Sequence, residues 1–172
     1  MAEMKLTFKL NDGTTIDVPK KYLYMMKTIS DMLSDMDNET FMDEIPITSD
    51  NITHQTMVEI LTYCLQYYEN GPGSAEEKLF YENYDLNQTM APDSQWDKDF
   101  FSKFSLKELE RVMNAANFLN MPGFVERSCK YLGETHINGK TPEQMREMFG
   151  LPDDLTAEEK EKINKENAWC TA

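Results

Sequence analysis

Cysteines and cations are scarce in this chain of 172 residues. The three cysteines, Cys64, Cys129 and Cys170, are odd in number and widely spaced, which indicates reduced thiols in an intracellular protein rather than a disulfide framework. Only 17 Lys and Arg stand against 31 Asp and Glu, so the net charge is −14. Because Lys and Arg supply most of the free energy of phosphate binding, this balance excludes nucleic acids and anionic membrane surfaces as expected partners.

Other absences each remove a class of function. No apolar run approaches the roughly 20 residues that span a bilayer. The segment after Met1 has no apolar signal region, so we expect no secretion. A glycine-rich phosphate loop is missing, and the two histidines, His54 and His136, lie outside any recognised metal or catalytic motif. The sequence therefore predicts no catalytic residue, no metal and no cofactor.

The N-terminal segment predicts a β-hairpin. Apolar and polar residues alternate over 4–10, which is typical of a half-buried strand. Residues 11–13 (Asn-Asp-Gly) favour a turn because Asn and Gly tolerate positive φ. A second strand through Ile16 and Val18 then ends at Pro19.

Helical periodicity follows the hairpin. Apolar residues recur at helical spacing from Lys20 to Leu33. The short apolar segment 45–47 contains a proline, which confines it to the edge of a sheet. Thr53 is suited to cap the next helix. The predicted apolar face of that helix comprises Met57, Ile60, Leu61, Cys64, Leu65 and Tyr68.

Two segments are predicted to be loops. Residues 35–44 are acidic, and residues 69–95 contain two glycines, two prolines and several acids. The longer segment also holds Phe80, Tyr81 and Tyr84.

The C-terminal half is predicted to be helical throughout. Residues 105–108, 141–144 and 156–159 each form a capping box, in which a Ser or Thr and a Glu or Gln three positions later satisfy free backbone amides reciprocally. Pro142 takes the favoured first helical position, and Gly150 is placed to end the short helix that it starts.

The tail from residue 139 to 172 is poor in apolar residues. Burying one large apolar side chain supplies about 1.5–3 kcal/mol, against roughly 1–2 kcal/mol of backbone entropy for each residue ordered. Two interpretations remain open: the tail docks on this protein's own core, or another chain supplies part of its apolar cover. The large apolar residues of the tail are Met145, Met148, Phe149, Leu151, Leu155, Ile163 and Trp169.

These motifs resemble the S-phase kinase-associated (Skp) family over almost the whole chain. The most specific part is the tail, with segments 139–143, 154–159 and 165–170. Upstream, segment 115–119 followed by Gly123 is similar to the family's central helix and the turn after it. Weaker matches lie in the first strand with its Asp-Gly turn and at Trp96, Asp97 and Phe100.

The resemblance implies an α+β fold: a BTB/POZ-type domain, with a small sheet and helices, plus a C-terminal helical extension. It also implies a non-catalytic adaptor that bridges a cullin scaffold to F-box proteins in ubiquitin ligases of the cytoplasm and nucleus. We expect the first part of the domain at 1–68, the loop at 69–95, its helical part at 96–137 and the F-box-binding extension at 138–172.

By the same resemblance, two sets of residues are candidate contacts. The cullin-facing set is Asn117 and Phe118, with the strand edge around Ile45 and Ile47 as a weaker candidate. The F-box-binding set is Val125, Cys129, Met145, Phe149, Ile163, Asn167 and Trp169. Judged from its spacing alone, Asn117 is better explained by an amide satisfied within the fold, whereas Trp169 near the terminus favours a binding role.

The chain departs from the family pattern in places. Ala157 occupies a position where some relatives carry a modifiable proline, so that regulation is not expected. Phe118 replaces a common Tyr, which keeps the ring and loses the hydroxyl. The aromatic residues of segment 69–95 replace the family's dense charge there, so no loop function is transferred.

Two alternatives stand beside the adaptor. One is a self-associating BTB-type regulator, and weak self-association is also the expectation for the adaptor when no partner is bound. The other is a small thiol-dependent enzyme built on Cys64 or Cys129 with a histidine. A cysteine nucleophile needs a nearby base and an electropositive setting, which so acidic a chain does not favour.

Overall fold

The structure is a computed structural model, and it describes residues 4–35, 44–70 and 94–171. The chain divides into two compact units, Met1–Tyr131 and Leu132–Ala172. The sequence placed the start of the extension at 138, inside the second unit. Most of the two predicted loops, 35–44 and 69–95, lies outside the described residues, and so do Phe80, Tyr81 and Tyr84.

The sheet of the first unit has three strands. Strands β1 (Lys5–Lys9) and β2 (Thr15–Pro19) form the predicted hairpin, with Phe8 opposite Ile16. Strand β3 (Glu44–Pro46) pairs parallel with β1, so the strand order is β2-β1-β3. The predicted edge position of this proline-containing strand is therefore confirmed.

Helices pack on this sheet and make up most of the remaining described residues of the first unit. The periodic segment after Pro19 is a 3₁₀ helix followed by an α-helix, rather than one continuous helix. Thr53 caps α2 as predicted, since its side chain accepts a hydrogen bond from the Thr56 amide. The helical elements are the 3₁₀ helix Lys20–Met25, α1 (Lys27–Asp35), α2 (His54–Leu65) with a π-helical turn Gln66–Asn70, α3 (Gln95–Phe101), α4 (Leu106–Phe118) and α5 (Pro122–Leu132).

The buried face of α2 differs in part from the predicted face. Met57, Ile60 and Cys64 are buried as expected, but Leu65 is 43% exposed and Tyr63 is buried instead. The Tyr63 ring packs edge-on against Phe124, with ring centroids 4.7 Å apart. Because this contact fixes the inward face of α2 at Tyr63, the side chain two positions later turns outward.

Aromatic rings fill the core between α2, α3 and α5. Trp96 stacks on Phe100 at a centroid distance of 4.8 Å, and Phe101 meets Phe124 edge-on at 5.4 Å. Phe100, Phe101 and Phe124 are at most 1% exposed. Offset and edge-on arrangements of this kind stabilise ring pairs beyond their buried area.

The described elements of the second unit are short helices and helical turns. After a π-helical turn, Gly133–Ile137, come α6 (Pro142–Phe149), α7 (Ala157–Glu166) and a 3₁₀ turn, Ala168–Thr171. No described residue between Leu132 and Trp169 is buried. The unit therefore has no apolar core of its own in the part that the structure describes.

Candidate functional site

The first candidate surface lies at the C-terminal end of α4. The helix starts at a capping box: the Ser105 hydroxyl accepts from the Glu108 amide at 3.4 Å, and the Glu108 carboxylate accepts from the Ser105 amide at 2.9 Å. The Ser105 hydroxyl also donates to the Glu108 carboxylate at 2.6 Å. This bond, followed by the one from the Ser105 amide, stabilises the charged carboxylate and holds the Glu108 pKa below its ordinary value. The last two residues of α4 are Asn117 and Phe118.

The start of α1 fixes this end of α4. The Thr28 hydroxyl donates to the Phe118 carbonyl at 2.9 Å, and the Thr28 amide donates to the Leu119 carbonyl at 3.2 Å. The Lys27 amide donates to the carbonyl of Asn120, whose φ of 52° is the left-handed conformation common after a helix end. Free amides at the start of α1 thus satisfy free carbonyls at the end of α4. These hydrogen bonds fix the backbone at and directly after Asn117 and Phe118.

Asn117 and Phe118 both point outward, and together we call them the α4-end patch. Phe118 is 39% exposed. Asn117 is exposed, and its side chain makes no hydrogen bond within the described residues, so the fold does not use the amide internally there. The outward interpretation of Asn117 is favoured over the internal one.

The structure corrects the weaker part of the predicted cullin-facing set. Ile45 is 1% exposed and Ile47 is 3% exposed, so both side chains belong to the core. Ile45 lies opposite Phe8 of β1, and the Ile47 amide donates to the Lys9 carbonyl at 2.8 Å. The edge position of β3 exposes its backbone edge, while residues two apart share one face, which here faces inward.

Helix α5 carries Val125 and Cys129, two members of the predicted F-box-binding set. They lie four residues apart, hence on one face, with Val125 half-buried and Cys129 exposed. Both belong to the first unit, whereas the other five members belong to the second.

A polar network buried beside the aromatic core holds α5 in place. Arg127 is 4% exposed, donates to the Tyr63 hydroxyl at 2.7 Å and lies over the Tyr67 ring at 4.3 Å. The Tyr67 hydroxyl in turn donates to Asp97, which caps the start of α3. Burial raises the pKa of Tyr67 far above its ordinary value, so the hydroxyl keeps the proton it donates. Arg127 thus joins α5 directly to α2 and, through Tyr67, to Asp97 of α3. The opposite face of α5 points outward.

The environment of Cys129 disfavours the thiol-enzyme alternative. Desolvation, and then the neighbouring negative charge of Glu126, raise the pKa of the Cys129 thiol. Cys64 is buried on α2. A nucleophilic cysteine needs the opposite setting, in which nearby positive charge stabilises the thiolate.

Local signals define α6 closely. The Thr141 hydroxyl accepts from the Gln144 amide at 3.3 Å, and the Gln144 side chain accepts from the Thr141 amide at 3.0 Å. Gly150 ends the helix at φ 64°, and the Leu151 amide reaches back to the Arg146 carbonyl at 2.8 Å. The predicted capping box and glycine stop are both confirmed.

The remaining candidates lie on α6, on α7 and just after α7. Phe149 is 40% exposed, Ile163 is 43% exposed and Trp169 is 76% exposed. The Asn167 side-chain amide donates to the Ile163 carbonyl at 2.8 Å, so it closes the end of α7 directly before Trp169. We call these residues, together with the half-buried Met145, the tail surface.

Two further apolar residues of the second unit are exposed and were absent from the predicted set. Leu151 is 59% exposed and Ile137 is 39% exposed. The sequence did not indicate the exposure of Leu151, because an apolar residue after a helix-ending glycine usually packs back onto its helix. Its exposure here adds to the apolar surface that the unit leaves uncovered.

The described residues contain no group of His, Cys, Asp and Glu side chains suited to hold a metal ion. In the same part of the chain, every helix is too short or too polar to cross a membrane. What the site does offer is exposed apolar and amide groups on fixed helix ends.

The fold and these surfaces define a BTB/POZ-type α+β domain followed by a helical unit that presents apolar side chains. Residues 4–69 match the family model described as Skp1 family, tetramerisation domain, and residues 126–170 match the model described as Skp1 family, dimerisation domain. The chain belongs to the Skp1 family.

Relatives agree with this assignment over nearly the full length. The chain is similar to SKP1-like protein 3 of Arabidopsis thaliana, at 32% identity over 99% of both proteins. It is also similar to a Skp1-related protein of Caenorhabditis elegans, at 30% identity over 98% of this chain and 92% of the relative. A third relative is the SCF ubiquitin ligase complex protein SKP1b of Dictyostelium discoideum, at 29% identity over 93% of this chain and 91% of the relative.

Proposed function

We propose that this protein is a non-catalytic adaptor subunit that links a cullin scaffold to F-box substrate receptors in a multi-subunit ubiquitin ligase. Membership of the Skp1 family supports the proposal, and so does a relative whose name places it in an SCF ubiquitin ligase complex. The adaptor acts by apposition, since it brings two proteins together through separate surfaces and makes or breaks no bond. We place this work in the cytoplasm and nucleus.

One observation carries the proposal: the second unit leaves several large apolar side chains exposed. Trp169 is 76% exposed, and Phe149 and Ile163 are 40% and 43% exposed. Tryptophan is enriched among the residues that dominate binding energy, and these residues typically fill a pocket on the partner. An F-box is a helical partner that supplies apolar surface of this kind.

The two partners are assigned to different surfaces. The α4-end patch, Asn117 and Phe118, is proposed to contact the cullin, and its rigid backbone suits a contact that every complex shares. The F-box is proposed to contact Val125 and Cys129 of α5 and the tail surface, which consists of Met145, Phe149, Ile163, Asn167 and Trp169. Ile45 and Ile47 are left out because their side chains are buried.

The test is a pair of matched aromatic truncations, Trp169→Ala and Phe118→Ala. Each removes one exposed ring from one surface, so each is the control for the other. We expect Trp169→Ala to weaken binding of a purified F-box domain by at least about 1 kcal/mol, as hot-spot residues do, and to leave cullin binding intact. Phe118→Ala should do the reverse. Affinities measured by calorimetry against both partners decide the matter.

Other outcomes contradict the proposal in distinguishable ways. Equal loss of both affinities in Trp169→Ala would indicate unfolding rather than a local contact. A wild-type protein that forms a stable homodimer and ignores the F-box domain would indicate the self-associating regulator instead, and the mass in solution reports this directly.

A further inference from the structure

One carboxylate links the two helices that carry the tail surface. Asp153 lies in the turn between α6 and α7. Its Oδ2 lies 2.5 Å from the Lys160 Nζ on α7, and its Oδ1 lies 3.9 Å from the Arg146 Nη1 on α6. Asp153 therefore contacts cations on both helices at once.

The surroundings make this link matter more than a surface ion pair ordinarily does. α7 has ten residues, and helices of that length are marginal in water unless packing holds them. The second unit has no buried residue among those described between Leu132 and Trp169. With little apolar packing to orient α7, polar contacts between the helices take a larger share of that task.

The charges around Asp153 favour its ionised form. The hydrogen bond from Lys160 is the largest influence, and the charges of Lys160 and Arg146 act in the same direction, so the Asp153 pKa lies below its ordinary value. The positive charges of Lys160 and Arg146 also act on Glu143, at the start of α6. Helices α6 and α7 therefore share one small cluster of alternating charge. At neutral pH the cluster is fully charged.

We propose that Asp153 is a positioning residue that ties α7 to α6, so that Phe149 on one helix and Ile163 and Trp169 on and after the other are presented together to a helical partner. The assignment rests on the proposed function for its partner. The link itself is a property of the free protein. Asp153 and Lys160 contribute charge rather than contact area, so they set the spacing of the surface and do not form it.

The chain provides matched controls within α7. Glu161 pairs with Lys165 at 2.8 Å, and Lys162 lies 4.0 Å from Glu166. Both pairs lie within the one helix, so breaking them removes an exposed charge without separating α7 from α6. Asp153→Asn is therefore compared with Glu161→Gln, since each exchanges one carboxylate for its amide.

The first readout is amide hydrogen exchange in the free, full-length protein. Asp153→Asn should speed exchange across 157–166 by about threefold, the scale of one exposed ion pair, because an α7 released from α6 frays. Glu161→Gln should change those rates less. Unchanged rates in Asp153→Asn overturn the proposal whether or not any partner binds.

The second readout is affinity for a purified F-box domain, measured as a double-mutant cycle. Asp153→Asn should weaken binding about threefold, and adding Lys160→Gln should cost little more, because the first change has already broken the pair. Asp153→Asn with Lys162→Gln should instead be additive. If the wild type binds and Asp153→Asn binds equally well, the positioning role fails. If the wild type does not bind at all, the proposed function fails, and exchange alone decides the link.

Discussion

The two units of this protein obtain their order by different means. In Met1–Tyr131, a close-packed aromatic core fixes the helices, and side chains such as Phe100 and Phe124 are almost fully buried. In Leu132–Ala172, no described residue up to Trp169 is buried, and capping boxes, a glycine stop and ion pairs define the helices. Capping boxes and the glycine stop decide where a helix begins and ends, but they do not hold one helix against another.

On the proposed function, this difference separates a unit that serves as a scaffold from a unit that binds partners. A surface presented by the first unit, such as the α4-end patch, has a backbone held by the core and by the contacts from Thr28. On the proposed function, a surface presented by the second unit gains apolar cover when a partner binds. Partners that must be exchanged suit the second arrangement, because part of the ordering free energy then comes from the partner itself.

The largest expected difference between the units is in the free energy of unfolding after a phenylalanine is truncated to alanine in each of them. Phe124→Ala should lower the free energy of unfolding of the first unit by about 3–5 kcal/mol, because it leaves a cavity among Tyr63, Phe100 and Phe101. Phe149→Ala, at 40% exposure, should cost about 0.5 kcal/mol or less. Urea unfolding followed by circular dichroism and tryptophan fluorescence measures both.

A comparable loss in the two variants would break the comparison, since it would mean that Phe149 is part of a core. F-box binding provides the complementary control. It should fall in Phe149→Ala even though stability does not.

Much of the second unit could be predicted from sequence because its signals are local. The boxes at 141–144 and 156–159 and the glycine at 150 specify helix ends through hydrogen bonds between residues at most five apart. The first unit was harder to predict where contacts between residues distant in sequence determine which side chains are buried. Tyr63 follows the buried Ile60 at helical spacing, but its partners Phe124 and Arg127, more than 60 residues later, pack on it and bond to it, and no signal within α2 specifies them.

The cullin-facing set shows the same division. Pro46 correctly placed segment 45–47 at a sheet edge, since a proline removes a ladder donor. Whether the faces of that strand are covered depends on what packs above it, so the burial of Ile45 and Ile47 could not be predicted from the segment itself. Asn117 and Phe118 end a helix whose buried face, Leu109, Val112, Ala115 and Ala116, is regular. Spacing alone nevertheless favoured an internally satisfied amide for Asn117, which the structure leaves exposed.

An intermediate effect is expected from removing one helix cap in each unit. Thr53→Ala and Thr156→Ala each delete a hydroxyl that accepts from a backbone amide, at 3.2 Å and 3.3 Å respectively. Each should cost about 1 kcal/mol. The cost should appear differently: as lower global stability of the first unit for Thr53→Ala, and as local fraying of α7 for Thr156→Ala.

Residue-resolved amide exchange distinguishes these responses. In Thr53→Ala, the amides of α2 should exchange through opening of the whole first unit, and all slowly exchanging amides there should accelerate together. In Thr156→Ala, acceleration should be confined to residues 157–166. If α7 instead kept its wild-type exchange, the cap would be redundant, and the second unit would have a source of order other than its local devices.

The smallest expected effect comes from protonating one capping carboxylate with acid, and we expect the two units to lose helicity at different pH values. Glu159 at the start of α7 accepts from the Thr156 amide and hydroxyl, which hold its pKa below the ordinary value of 4.5. Because the folded pKa is the lower one, the contribution of Glu159 is full above about pH 4.5 and is lost as the pH falls through the lowered value. Glu108 in α4 behaves in the same way, but the core holds α4 when its cap is protonated. Helicity of α7 should therefore fall at a higher pH than that of α4 in an NMR titration from about pH 7 to pH 3.

Glu159→Gln sharpens the test, since glutamine preserves the capping box but does not titrate. If α7 and α4 lost their helicity together in the wild type, a shared core rather than local caps would govern both.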